Sequence, residues 1–194
     1  MGSRLDGKRV AFLMANEGVE RVELEEPLRA VRDAGATADL IAPEAGEIQT
    51  FDHLDKAATY TADRAVADAD PDDYDAVVLP GGVANPDALR RDAGAVAFLQ
   101  AMVAAGKPAG VICHAPWMLV EADLVRGRTL TSWPSLRTDI RNAGGEWVDR
   151  EVVVDQGLVT SRKPDDLPAF CAKVVEEVAE GRHRAAAAAG AMRG

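Results

Sequence analysis

The sequence predicts a doubly wound, mostly parallel α/β sheet flanked by helices, on three observations. Short unbroken apolar runs recur, at Val10–Ala15 (VAFLMA), within Tyr74–Leu79 (YDAVVL) and at Ala109–Cys113 (AGVIC). Runs this short, without polar alternation, suit strands covered on both faces. The stretches between them carry helical spacing, as at Val22, Leu24, Leu28 and Val31. Strand and helix then alternate along most of the chain, which implies parallel crossovers with helices on both faces.

Taken in order, Val10–Ala15 is the first buried strand, and Glu20–Ala34 the first helix, with Gly35 just past its end. Thr37–Ala42 is a second strand, stopped by Pro43. Short strands or hairpins are expected at Glu47–Thr50 and Ala57–Thr61. Tyr74–Leu79 is a third buried strand, broken by Pro80-Gly81-Gly82. Asp87–Ala105 reads as one helix, ended by Gly106 and Pro108. Ala109–Cys113 is the fourth buried strand, and helical spacing resumes over Pro116–Val125. Thr129–Ser132, Trp147–Asp149, Val152–Val154 and Leu158–Ser161 are strands, with a tight turn at Asp155-Gln156-Gly157. Helices are expected at Pro134–Asn142 and Pro164–Glu180. One domain is assigned to 1–181, and the Ala-rich tail 182–194, which holds His183, is expected to fray.

Composition narrows the function. An apolar share of 47% with 28% charged residues is the globular range. The net charge of −10 repels phosphate backbones and argues against nucleic-acid binding. No apolar run reaches the ~20 residues of a membrane helix. The amino-terminal segment has no signal-peptide core, so a cytoplasmic protein is expected. The two cysteines, Cys113 and Cys171, are read as free thiols, and no Cys/His pairing suggests a metal.

In a doubly wound sheet, functional groups gather at the carboxyl ends of the strands. That rule selects Asn16–Glu20, Pro80–Asn85 and Cys113–Pro116. Cys113 ends a buried strand and a helix follows at once, the arrangement of a nucleophile elbow, with a helix start that favours thiolate over thiol. It is the candidate nucleophile. Cys171 sits among Phe170, Val174, Val175 and Val178 and is expected to be inert. His114 can supply a side chain beside the sulfur and a backbone N–H for an oxyanion hole, and Gly82 a second N–H. Glu20 opens the first helix and is expected to place its carboxyl under the Cys113 sulfur. Glu17, Glu20 and Glu23 crowd together, which keeps one acid protonated and able to donate to a thiolate. Downstream of Cys113 only His183 could complete a hydrolase triad, and its place in the tail argues against one. Trp117 and Trp133 are either pocket walls or core and dimer contacts.

These motifs resemble the ThiJ/PfpI superfamily. The matching pieces are GVERVEL (Gly18–Leu24), YDAVVLPGG (Tyr74–Gly82), ICHAPW (Ile112–Trp117), LTSWPSLRTDIRNAG (Leu130–Gly144), EWVDREVVVD (Glu146–Asp155) and VTSRKPDDLPAF (Val159–Phe170). The PfpI-like branch, with its intracellular proteases and general stress proteins, fits best. The resemblance implies a flavodoxin-like fold, a nucleophile at Cys113, a buried glutamate at Glu20, His114 beside the cysteine and an oxyanion site from the Gly82 and His114 amides. It also implies an acid, here Asp87, that reaches the histidine of a neighbouring subunit, and hence a homodimer or higher homo-oligomer. Ala115 stands where the superfamily commonly has glycine. The implied activity is a cofactor-independent, cysteine-dependent stress enzyme acting on small reactive carbonyls or their protein adducts, of glyoxalase or deglycase type. The alternatives are a PfpI-type peptidase acting on peptides, and a non-enzymatic redox sensor or chaperone that uses oxidation of Cys113.

Overall fold

The computed structural model describes residues 3–183. The chain runs β1 (Arg9–Leu13), β2 (Glu17–Glu20), α1 (Arg21–Asp33), β3 (Thr37–Ala42), β4 (Gly46–Asp52), β5 (Asp55–Ala62), β6 (Arg64–Ala65), β7 (Ala76–Leu79), α2 (Ala84–Leu89) and α3 (Ala93–Ala104). It continues with β8 (Ala109–Ile112), α4 (Pro116–Glu121), β9 (Thr129–Leu130), α5 (Arg137–Asn142), β10 (Glu146–Trp147), β11 (Val152–Asp155), β12 (Leu158–Ser161) and α6 (Leu167–Glu180). Seven strands form the main sheet in the order β11-β12-β8-β7-β1-β3-β6, parallel throughout except for the edge strand β11. The expected fold class is the observed one.

The apolar runs explain the sheet's depth. Every residue of β7 and β8 is buried, and alternate residues of β1 feed two separate cores. Val10, Phe12 and Met14 pack with Leu24 and Leu28 of α1 and Phe170 and Val174 of α6. Ala11, Leu13 and Ala15 pack with Phe98, Leu99 and Met102 of α3 and Leu119 of α4. Such double coverage is what an unbroken apolar run requires. Gly110 lets α6 lie close on β8, because a Cβ there would meet Val174 at 2.7 Å and Phe170 at 3.2 Å.

The structure corrects several expected elements. Glu17–Glu20 is a strand, β2, paired in parallel with β4 in a second sheet that β5 completes. The helix expected over Asp87–Ala105 is two helices, because the Asp92 side chain accepts from the Ala95 N–H (2.8 Å) and starts α3 afresh. The helix from Pro116 stops at Glu121, where Asp123 takes φ +54° and the Leu124 N–H returns to Leu119 O. His183, expected in a frayed tail, is docked: its N–H donates to Gly106 O (2.8 Å) and its ring lies against Gly157. The rest of the tail, 184–194, falls outside the described residues. Among the described residues no helix is long and apolar enough to cross a membrane.

Candidate active site

β1, β7 and β8 end side by side, and the strand order reverses at β1, with β3 added on one side and β7 on the other. A crevice opens at such a switch point. Cys113 follows the last residue of β8 at φ +64°, a left-handed conformation that costs a non-glycine residue about 1–3 kcal/mol and persists only where surroundings impose it. Here the Cys113 N–H donates to Ser161 O (3.0 Å), Cys113 O accepts from the Trp133 N–H (2.8 Å), and the Ala115 N–H donates to Ile112 O (3.0 Å). The corner turns the thiol towards the crevice while leaving it nearly buried. The backbone amides of Gly82 and His114 point at the sulfur, and His114 Nδ1 lies 3.1 Å from it.

The carboxyl beside the sulfur belongs to Glu23. Glu20, expected there, is the last residue of β2 and stands at the N-cap position of α1 without a side-chain capping bond; its Oε2 accepts instead from the His53 N–H (3.2 Å) at the β4–β5 hairpin tip. The helix therefore starts at Arg21, and its inward face carries Glu23, Leu24, Pro27, Leu28 and Val31. Glu23 is 0% exposed, its Oε2 accepts from the Gly81 N–H (2.9 Å), and its carboxyl contacts the Cys113 thiol. A sequence signal for this did exist: Glu23 lies four and eight residues ahead of the buried Pro27 and Val31.

Two further groups fix the loop that faces the thiol. Gly81 has no room for a Cβ, which would lie 2.6 Å from that of Cys113. Buried Asn85 closes the Pro80–Asn85 stretch selected from sequence, which assigns it no role, and ties two strand ends together: its Oδ1 accepts from the Ala15 N–H (2.7 Å), and its Nδ2 donates to Pro80 O and Gly81 O.

Burial pushes Glu23 up to about 8, helped by the negative charge of Glu20; the thiol and the amides of Gly81 and Gly82 pull the other way. Burial also pushes the Cys113 thiol up, with the Glu23 charge second, against the Gly82 and His114 amides. The depressed thiol value expected from a helix start is therefore not found: burial outweighs the amides, and α4 is a short helix. Thiol and carboxyl oppose each other's ionisation, so the two are not both charged near neutrality and titrate as a coupled pair.

His114 is nearly buried between two indoles, Trp133 stacked at 5.6 Å and Trp117 tilted at 5.5 Å, and burial lowers it to about 4. It is neutral at physiological pH. Trp133 lines the pocket; Trp117 instead donates its Nε1–H to Asp139 Oδ2 (2.9 Å) and borders a different hollow with Arg90. Asp87 is exposed on α2, beside Arg90, Arg91 and Glu121, and does not line the Cys113 pocket. The pocket over Cys113 encloses about 380 Å³ and is walled by Glu20, His53, Leu54, Val83, Trp133 and Pro164. Among the described residues, the side chains spaced closely enough to share a metal ion are Glu177, Glu180 and His183, away from Cys113 at the opposite end of β8.

The match to known proteins decides the kinship, since the DJ-1/PfpI family covers residues 8–177. The chain belongs to the DJ-1/PfpI family. Protein/nucleic acid deglycase 2 of Escherichia coli is 43% identical over 164 residues, spanning 84% of this chain and 93% of its own length. General stress protein 18 of Bacillus subtilis is 41% identical over 165 residues, spanning 84% and 94%. The crystal structure of Drosophila melanogaster DJ-1beta superposes with a TM-score of 0.80 at 29% identity, over 89% of this chain and 90% of that one. The DJ-1/PfpI kinship agrees with the family read from the motifs, and the fold with the one they imply.

Proposed function

We propose that this DJ-1/PfpI protein is a cysteine-dependent enzyme acting on reactive carbonyls or their adducts, with Cys113 as nucleophile and Glu23 as its acid–base partner. The observation that carries the reading is the contact between a nearly buried thiol and a buried carboxyl, with two amides aimed at the sulfur. In the reacting form the proton sits on Glu23 and the charge on sulfur. The thiolate adds to an aldehyde carbon, the C–S bond forms, and the carbonyl electron pair moves to oxygen. The Gly82 and His114 amides hold that oxygen while Glu23 gives it a proton. With methylglyoxal, Glu23 then takes the proton from the sulfur-bearing carbon and returns it to the neighbouring carbon, while the hydroxyl proton passes from the first oxygen to the second, leaving a thioester. The internal oxidation and reduction cancel, and water releases the hydroxy acid and the free thiol.

His114 supports the carbonyl reading over a thiolate–imidazolium peptidase, because a histidine lowered to about 4 by burial stays neutral beside the sulfur. A homo-oligomer belongs to the same proposal: Asp87 is exposed and free to approach a second copy. The direct test is turnover of methylglyoxal by wild type, Cys113→Ser and Glu23→Gln. Hydroxy-acid formation that needs both side chains is the expected result, and turnover that survives Cys113→Ser would overturn the proposal.

A further inference from the structure

The pocket over Cys113 is lined by two acids and, among the described residues, by no lysine or arginine. Its other walls include Leu54, Val83 and Trp133, which are 92%, 57% and 38% exposed and apolar. Glu23 is wholly buried beside the thiol, and its Oε2 accepts from the Gly81 N–H. Glu20 is not: it is half-buried at the wall, and its carboxyl accepts a single hydrogen bond, from the His53 N–H. Of the cations near the walls in sequence, two are engaged elsewhere, and exposed Lys56, two residues past Leu54, does not line the pocket. Arg21 pairs with Glu25 and Asp52, and Lys163, next to the wall residue Pro164, pairs with Asp165. The field at the pocket mouth is therefore negative, and low-dielectric walls strengthen it.

We infer that Glu20 is the charge selector of this pocket: it admits neutral carbonyls and carbonyl adducts borne on guanidinium or ammonium groups, and turns away α-oxo carboxylates and phosphorylated carbonyls. An anion brought to the sulfur passes the Glu20 carboxylate in a partly dry cleft and is repelled; a cation on the same path is attracted. The apolar rim suits the methylene stem of a lysine or arginine whose charged end meets Glu20. The substrate half of this inference rests on the carbonyl reading above; the charge selection itself does not.

The experiment has two arms. In a Cys171→Ser background, Cys113 is modified by two methanethiosulfonates, one bearing a trimethylammonium and the other a sulfonate. The thiolate displaces methanesulfinate and a mixed disulfide forms, with rates normalised to those of a small free thiol. Wild type should favour the cationic reagent. Glu20→Gln should lower the cation-to-anion rate ratio by roughly tenfold, and Glu20→Lys should invert the preference. A ratio unchanged in both variants overturns the inference. The second arm compares kcat/KM for methylglyoxal and glyoxylate. Glu20→Gln should raise glyoxylate relative to methylglyoxal by roughly tenfold, mainly through KM. A shifted reagent ratio without turnover of either carbonyl would sink the carbonyl reading and keep the selector. Turnover of methylglyoxal with an unshifted reagent ratio would do the reverse.

Discussion

The two thiols of the chain, Cys113 at the end of β8 and Cys171 within α6, are both withdrawn from water, and withdrawal is the first cause that raises each, Cys171 to about 12. Their surroundings then diverge. Cys171 sits in regular helix, with Glu26 and Arg29 nearby acting in opposite senses. Cys113 sits on a left-handed corner that three backbone hydrogen bonds impose, with amides from two loops aimed at its sulfur and a carboxyl able to keep a proton. Burial is common to both and marks neither as reactive. What separates them is a set of groups useful only to an anion on sulfur.

The largest effect should come from removing the two sulfurs in turn. Cys113→Ser is expected to lower methylglyoxal turnover by about a thousandfold or more, as for loss of a covalent nucleophile, while Cys171→Ser stays within about twofold. Steady-state assays of the two variants decide it, and comparable losses would erase the contrast. The acids beside each thiol form the second test. Glu23→Gln should cut kcat by roughly a hundredfold to ten-thousandfold through loss of the transferable proton, and Glu26→Gln, near Cys171, should leave kcat unmoved.

Iodoacetamide should label Cys113 at least about tenfold faster than Cys171 at neutral pH, read by mass spectrometry of limited alkylation. Faster labelling of Cys171 would show that the groups around Cys113 serve packing and not an anion. The smallest effect concerns stability. Glu23 is raised from the ordinary carboxyl range to about 8, so between those values the folded chain holds a proton that the unfolded chain has released. Stability should therefore fall as pH rises through that window, by on the order of a few kcal/mol at most, and Glu23→Gln should flatten the dependence. Denaturant melts of both proteins from pH 5 to 9 check it.

Much of the sheet could be read along the chain because a strand covered on both faces has to be apolar throughout, and β1, β7 and β8 are. Cys113 could be read for the same reason, being the residue at which such a run stops. β2 could not. Its ladder is made with β4, Glu17 opposite Gln49, and its own four residues carry two acids and a glycine. Without β2, Glu20 reads as the first residue of α1 and as the acid nearest the strand ends, whereas the buried acid is Glu23, in the first turn of that helix. The single helix drawn across Asp87–Ala105 failed differently, because the Asp92 cap reads as an ordinary surface acid until its side chain is seen to turn back on Ala95.

The sequence by itself determined the family, the order of the central strands' apolar runs and the identity of the thiol at a strand end, since each depends on residues close together in the chain. The tertiary structure decided which of three neighbouring glutamates meets that thiol, that Trp133 and not Trp117 lines the pocket, and that His183 is docked. Those outcomes depend on the phase of a helix against the sheet and on the approach of loops far apart in sequence. Glu23, in the first turn of α1, falls on the face that turns to the sheet with Leu24 and Pro27, whereas Glu20, at the end of β2, is held at the pocket wall by the distant His53 N–H.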